Sequence, residues 1–372
     1  MNRMASFCVA LAATFAVPVC PLSAATAADA RRGSEFFRTQ YCVNCHAIEG
    51  QGGKEAPDLG QRFDRNYTPA GIASRMWDHA PVMWKAMSEK KIPLPAISAD
   101  RAADLFAYFY SVRYFEKPGE AERGKHIFQS KHCSDCHSLT ASGGSGPGNP
   151  VDHWESLADP IVLVERMWNH SDLMKGEMAT RKIQWPQLTS QDLDDLLVYL
   201  QNLPQTKNEK LAFLLPSGEG GEALFKEKGC VNCHKGELAL EFRLGDSTLT
   251  NVAAAMWNHN PQMQHPHPQF TLPEMRQLLG YIWAKQFFYT KGDVARGHKT
   301  FESKKCATCH NDSSSGAPAL GKPSEPYSAI TMVEILWKHG PNMLEKMQAR
   351  HIPWPQLSQT EMANLIAYLN SR

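Results

Sequence analysis

The 372-residue chain shows no excess of either charge: 39 lysines and arginines face 38 aspartates and glutamates, a formal balance of +1. That balance excludes the basic signature of a nucleic-acid binder and gives no global field to steer a partner. Beyond the N-terminal segment, no stretch is apolar and long enough to cross a bilayer. The alternating strands of a βαβ architecture are missing. Also missing are G-x-S-x-G, H-E-x-x-H and a phosphate-cradling glycine loop, so the usual signatures of hydrolysis and phosphate chemistry do not apply. A hydrophobic content of 42% still suffices for packed cores. The length corresponds to two or more domains.

The N-terminal segment reads as an export signal. Arg3 precedes an apolar run from Ser6 to Val19, Pro18 and Pro21 break it, and Ala25-Thr26-Ala27 offers a cleavage site before Ala28. The run is short for a bilayer span, and an uncleaved anchor is the rival reading. The expectation is a signal over residues 1–28, and a periplasmic protein without stable membrane insertion after its removal.

No cysteine is left over. Cys8 and Cys20 fall inside the signal, and the other eight form four pairs, each followed at once by histidine: Cys42-x-x-Cys45-His46, Cys133-x-x-Cys136-His137, Cys230-x-x-Cys233-His234 and Cys306-x-x-Cys309-His310. Two thiols at this spacing reach the two vinyl positions on one haem edge, and the adjoining histidine lies beneath the iron. C-x-x-C-H is the recognised mark of such attachment, and histidine is a normal axial ligand. A zinc ribbon would need its C-x-x-C pairs about 15–20 residues apart, whereas these lie 76 to 97 apart. Disulfides alone would leave the four histidines unexplained. The expected cofactor is therefore four haem c groups with their iron.

The motifs sit inside a longer repeat. Nine residues before each first cysteine stands a glycine (Gly33, Gly124, Gly221, Gly297), and five before it a phenylalanine (Phe37, Phe128, Phe225, Phe301). Four residues apart, the two share a helix face. The glycine lets a second helix approach, and the phenylalanine packs beside it. Each repeat closes on an amphipathic run ending in Tyr108, Tyr199, Tyr281 or Tyr368, three of these runs preceded by polar helix-start residues.

This arrangement resembles the class I cytochrome c family, repeated over essentially the whole mature chain. The resemblance implies an all-α fold of four tandem units, each packing an N-terminal helix against a C-terminal helix around one haem. Pro57-Asp58-Leu59 and Pro318-Ala319-Leu320 match the family's P-x-L turn near the proximal histidine. The second repeat has only Gly146-Pro147-Gly148, and the third has no matching proline. The boundaries fall near 29–118, 119–210, 211–290 and 291–372, with Pro204–Gly221 the clearest linker. Ala141–Pro150 is a loop within unit 2.

A second repeated pattern points to the distal side. From Trp77, Trp168, Trp257 and Trp337, position +2 is always histidine (His79, His170, His259, His339) and +6 always methionine (Met83, Met174, Met263, Met343). Position +10 is Met87, Met178, His267 and Met347. Pro81, Pro261 and Pro341 predict a helix ending near the Trp-x-His and a new short helix carrying the sulfurs. The +6 methionines lead, as Met/His ligation suits class I carriers. The +10 column and the +2 histidines stay open, and His267-Pro268-Gln269-Phe270 resembles the family's M-P-x-F loop. Losing methionines would pack on the porphyrin, and the tryptophans against the haem or a helix.

Electron transfer between redox partner proteins is the leading function, since it needs no acid, base or nucleophile. Catalysis at one open haem is the alternative, with unit 3 and its shortened loops the place to seek it. The third reading is permanent docking to a larger respiratory complex.

Overall fold

The computed structural model describes residues 28–60, 68–112, 119–143, 146–154, 157, 159–204, 217–245, 247–263, 266–320 and 326–372. Residues 1–27 of the expected signal segment and most of the Pro204–Gly221 linker lie outside these residues. Helix dominates, as expected, and the single two-stranded ribbon, β1 (Ala47–Ile48) with β2 (Gln51–Gly52), is a minor feature among the described residues.

Unit 1 contains α1 (Ala30–Thr39), α2 (Pro69–Glu89) and α3 (Ala99–Ser111). Unit 2 has α4 (Ala121–Ser130), α5 (Pro160–Asn169), α6 (Ser171–Thr180) and α7 (Ser190–Gln201). Unit 3 is leaner, with α8 (Gly221–Glu227), α9 (Leu249–His259) and α10 (Leu272–Ala284). Unit 4 has α11 (Val294–Ser303), α12 (Ala307–His310), α13 (Ala329–Ala349) and α14 (Gln359–Ser371). Side-chain caps explain where the closing helices begin: Ser98, Thr189, Thr271 and Ser358 each accept from a backbone N–H in the first turn.

In every unit the first helix crosses the last at the repeated glycine. A Cβ on Gly33, Gly124 or Gly297 would sit 2.0 Å from the carbonyl oxygen of Asp104, Asp195 or Asn364, and one on Gly221 2.4 Å from that of Gln277. No side chain fits there. One turn on, the phenylalanine meets the closing tyrosine: Phe37–Tyr108, Phe128–Tyr199, Phe225–Tyr281 and Phe301–Tyr368 have ring centroids 5.8, 5.9, 5.7 and 5.4 Å apart. A polar latch completes the crossing in three units. Asp104, Asp195 and Asn364 accept from the backbone N–H of Asp29, Glu120 and Asp293 at 2.7–2.8 Å. Arg32 and Arg123 clamp the first two carboxylates with two hydrogen bonds each.

The units are not beads on a string. Unit 1 packs on unit 4 through α2, α13 and α14, and unit 2 on unit 3 through α5, α7, α9 and α10. Tyr110 of α3 packs on Trp283 and Phe287, at 5.4 and 5.2 Å between centroids, which joins units 1 and 3. One continuous core therefore runs through units 1, 3 and 4 and takes in Ile161 and Trp168 of α5, and a second lies within unit 2 and its face on α9.

Candidate haem sites

Each C-x-x-C-H is a single tight turn. The residue before the first cysteine adopts a left-handed conformation (Tyr41 φ 63°, His132 φ 65°, Gly229 φ 79°, Lys305 φ 63°). For the three with a Cβ this costs about 1 kcal/mol. The histidine N–H then donates back to the first cysteine carbonyl at 2.9–3.0 Å in all four motifs. The turn places both thiols and the imidazole in one short stretch. None of the eight motif cysteines is joined to another in a disulfide. Burial pushes the thiols of Cys42, Cys133 and Cys306 up to about 11, so the first cysteine of each of these pairs faces the interior. Among the described residues no group of three or more His, Cys, Asp or Glu side chains is placed to hold a metal ion.

The imidazoles are oriented from behind. His46 Nδ1 donates to the Pro57 carbonyl at 3.0 Å, His137 Nδ1 to Asn149 at 3.0 Å, and His310 Nδ1 to Pro318 at 2.9 Å. In unit 3 the Leu238 backbone lies beside the His234 ring; the Nδ1 hydrogen bond is seen in units 1, 2 and 4. Fixing the proton on Nδ1 leaves Nε2 as a bare lone pair, the tautomer that an axial ligand needs. The P-x-L turn supplies this carbonyl in units 1 and 4. In unit 2 the carbonyl belongs to Asn149, with Gly148 pressed so close that a Cβ would lie 2.5 Å from the His137 ring. The missing proline of unit 2 is therefore replaced in function by the Asn149 carbonyl.

The slot itself is open to view in unit 4, as a cavity of about 1350 Å³ including its mouth. Cys306, Cys309 and His310 line it, as do His339, Met343 and Met347 of α13. Much of the remaining wall is apolar, with Leu336, Leu365 and Leu369. Thiols, a tautomer-fixed imidazole and a deep apolar slot fit a covalently held haem.

The distal segment departs from expectation. In units 1 and 4 it is one helix of 21 residues, and Pro81 and Pro341 lie inside it. Its histidine and two methionines, four residues apart, therefore run along one face. A proline removes one N–H, here the donor to the carbonyl four residues back. Trp354 of unit 4 replaces that donor, its indole N–H reaching the Trp77 carbonyl at 2.9 Å. Unit 2 has no proline here and is nevertheless interrupted, at His170. Ser171 Oγ takes the Trp168 carbonyl at 2.6 Å, and this competition bends the helix. In unit 3 the helix stops at His259, and Met263 follows a 3-10 turn in extended backbone (φ −77°, ψ 165°).

His267 does not occupy the +10 column. In units 1, 2 and 4 that column closes the helix: the carbonyls of Met87, Met178 and Met347 accept from Ile92, Ile183 and Ile352 at 2.9 Å. Unit 3 lacks this turn. His267 instead matches Trp185 and Trp354, each of which precedes a proline in a loop that grips the neighbouring unit. Trp185 stacks on Trp257 (4.1 Å between centroids), Trp354 on Trp77 (5.1 Å), and His267 packs on Trp168 (4.8 Å). Three of the four repeated tryptophans reach across to those loops. Trp77, Trp168 and Trp257 donate to the carbonyls of Pro355, Pro268 and Pro186 at 2.9, 2.8 and 2.7 Å. The buried His267 ring lies 3.2 Å from Asp172 and 3.3 Å from Ser171, in the seam between units 2 and 3. A unit-by-unit alignment of the P-x-P-type loops, rather than counting from the tryptophan, would have revealed this.

The sequence pattern of the family described as Cytochrome c matches residues 30–112, 121–204 and 294–372. Unit 3 falls outside those matches. Among curated proteins, the chain is similar to the Cbb3-type cytochrome c oxidase subunit CcoP of Helicobacter pylori (strain ATCC 700392 / 26695), with 27% identity over 107 residues, 28% of this chain and 34% of that protein. The same subunit from Helicobacter pylori strain 52 is 26% identical over 107 residues, 28% of this chain and 33% of the relative. The matched stretch thus spans about a third of the length of these relatives. No solved structure matches the chain.

Proposed function

The chain belongs to the cytochrome c family, and from that premise we propose that it is an exported tetrahaem electron carrier linking redox partner proteins. One observation carries the count of four: all four motifs, unit 3 included, fold into the same tight turn, the histidine N–H donating to the first cysteine carbonyl at 2.9–3.0 Å. A unit that had lost its haem would have no reason to keep that turn. Haem c supplies one-electron exchange at its iron.

The residues divide the work. Cys42, Cys45, Cys133, Cys136, Cys230, Cys233, Cys306 and Cys309 form the thioethers. His46, His137, His234 and His310 are the proximal ligands. In units 1 and 4, where the distal helix is unbroken, Met83 and Met343 are proposed as sixth ligands, which would raise those two potentials. Electron transfer by this family needs only attachment, ligation and burial of the haem.

Export to the periplasm, with cleavage near Ala27-Ala28, accords with the N-terminal pattern. No described helix is long and apolar enough to cross a membrane. The similarity to CcoP favours docking to a respiratory oxidase-type complex over a solitary shuttle. Native electrophoresis of periplasmic and membrane fractions with haem staining tests this: comigration with an oxidase supports docking, and a single free 40-kDa-class band contradicts it.

A further inference from the structure

Units 2 and 3 share a feature that the repeat pattern alone did not single out. The distal helix breaks at His170 in one and ends at His259 in the other, and at each break the histidine turns its ring toward the motif histidine. His137 and His170 have ring centroids 6.3 Å apart, and His234 and His259 6.4 Å. Two metal–nitrogen bonds of about 2 Å each, plus the two ring radii, span about 6 Å. Resting on the haem reading above, we propose that His170 and His259 are the sixth ligands in units 2 and 3, in place of Met174 and Met263.

An ordinary tilted ring pair also falls in this distance range. Packing alone does not account for its recurrence in two units whose distal backbones differ. One histidine is followed by α6, the other by a 3-10 turn. His137 already uses Nδ1 on a backbone carbonyl, and so turns Nε2 away from that carbonyl. Methionine fits less well in both places. Met174 lies a full turn beyond His170, about 6 Å along the helix, so the two cannot occupy one position. Met263 has left the helix altogether. Two imidazoles on one iron give a lower potential than imidazole with thioether, and they leave unit 3 no open position for catalysis.

The test uses the full-length holoprotein, comparing H170A, H259A, M174L and M263L with wild type. Each preparation is examined by low-temperature electron paramagnetic resonance, near-infrared magnetic circular dichroism and carbon monoxide binding. Each histidine variant is expected to convert one haem in four to a high-spin, carbon-monoxide-binding form, whereas the leucine variants keep the wild-type spectrum. Should an alanine variant fail to fold, H259M is expected to restore a low-spin haem carrying a new sulfur-to-iron band. A high-spin haem in M174L or M263L, or sulfur-to-iron bands on all four haems of wild type, would overturn the assignment. A pyridine haemochrome count on the same samples keeps the two readings apart. Four haems with the wrong ligands sinks only the ligand assignment, whereas three haems sinks the four-haem reading and the assignment for the empty unit.

Discussion

The two unit pairs are joined by the same parts used differently. In the pair of units 2 and 3 the grip is reciprocal. Trp257 donates to Pro186 and Trp168 to Pro268, while Asn258 pairs with the Leu188 backbone and Asn169 with that of Phe270. In the pair of units 1 and 4 only one half exists: Trp77 and Asp78 bind the Pro355–Leu357 backbone, and Trp354 binds back. The other half is missing because unit 1 has Leu94 where unit 4 has Trp354, and the Trp337 indole N–H finds no acceptor among the described residues. Closer helix packing compensates. A Cβ on Gly340 would lie 2.3 Å from Trp84, and Trp84 meets both Trp337 and Trp354 edge-on. The hydrogen-bonded pair keeps broken distal helices, and the pair packed on aromatic rings keeps unbroken ones.

The largest effect should come from attacking the one-sided grip. Trp354→Ala removes the stack on Trp77 and the hydrogen bond that offsets Pro81, and should cost about 4 kcal/mol. Trp185→Ala, in the reciprocal pair, leaves the opposite half intact and should cost less. Chemical denaturation with tryptophan fluorescence and haem absorbance would compare them, and equal losses would break the distinction. A smaller, opposite change tests the same point. Leu94→Trp supplies the missing half, and should raise stability by about 1 kcal/mol if its indole reaches the Trp337 carbonyl freed by Pro341.

The smallest effect is on pH, and it separates equivalent residues of units 1 and 2. Asp104 is pushed up by burial, more than Arg32 and the Asp29 N–H pull it down. Asp195 is also desolvated, yet Arg123 and the Glu120 N–H outweigh this and hold it below the usual range. For Asp195 the sign is that of a depressed carboxylate: its stabilisation is present above the unfolded value and is lost as pH falls through the folded one. Asp104 behaves oppositely, its contribution improving as pH drops toward the ordinary carboxylate value. In α1 the Asp29 cap, itself held below the usual range, opposes the Asp104 effect, so the readout is α4. Hydrogen exchange corrected for intrinsic rates should show acid loosening α4, and Asp195→Asn should abolish that response, as in unit 4, where Asn364 already makes the latch without a titrating group.

Much of this was legible in the residues. The four motifs, the glycine crossings and the phenylalanine–tyrosine pairs follow from local spacing, because each concerns one helix turn or one repeated pair of helices. The Trp-x-His segments misled where proline seemed to dictate a break. A proline's cost depends on whether the freed carbonyl finds another donor, and Trp354 is some 277 residues away in the chain from Trp77. His267 misled for the same reason: its role is set by a contact with Asp172 across a unit boundary, invisible to counting along one repeat.

The central claim is that every unit, including the third that lies outside the family match, holds its own covalent haem. Intact-mass spectrometry of the denatured, exported protein tests it directly, with C230S/C233S as the companion variant. The account predicts a mature chain carrying four haems, falling to three in the variant. A wild-type mass corresponding to three haems, unchanged by the double substitution, would contradict it.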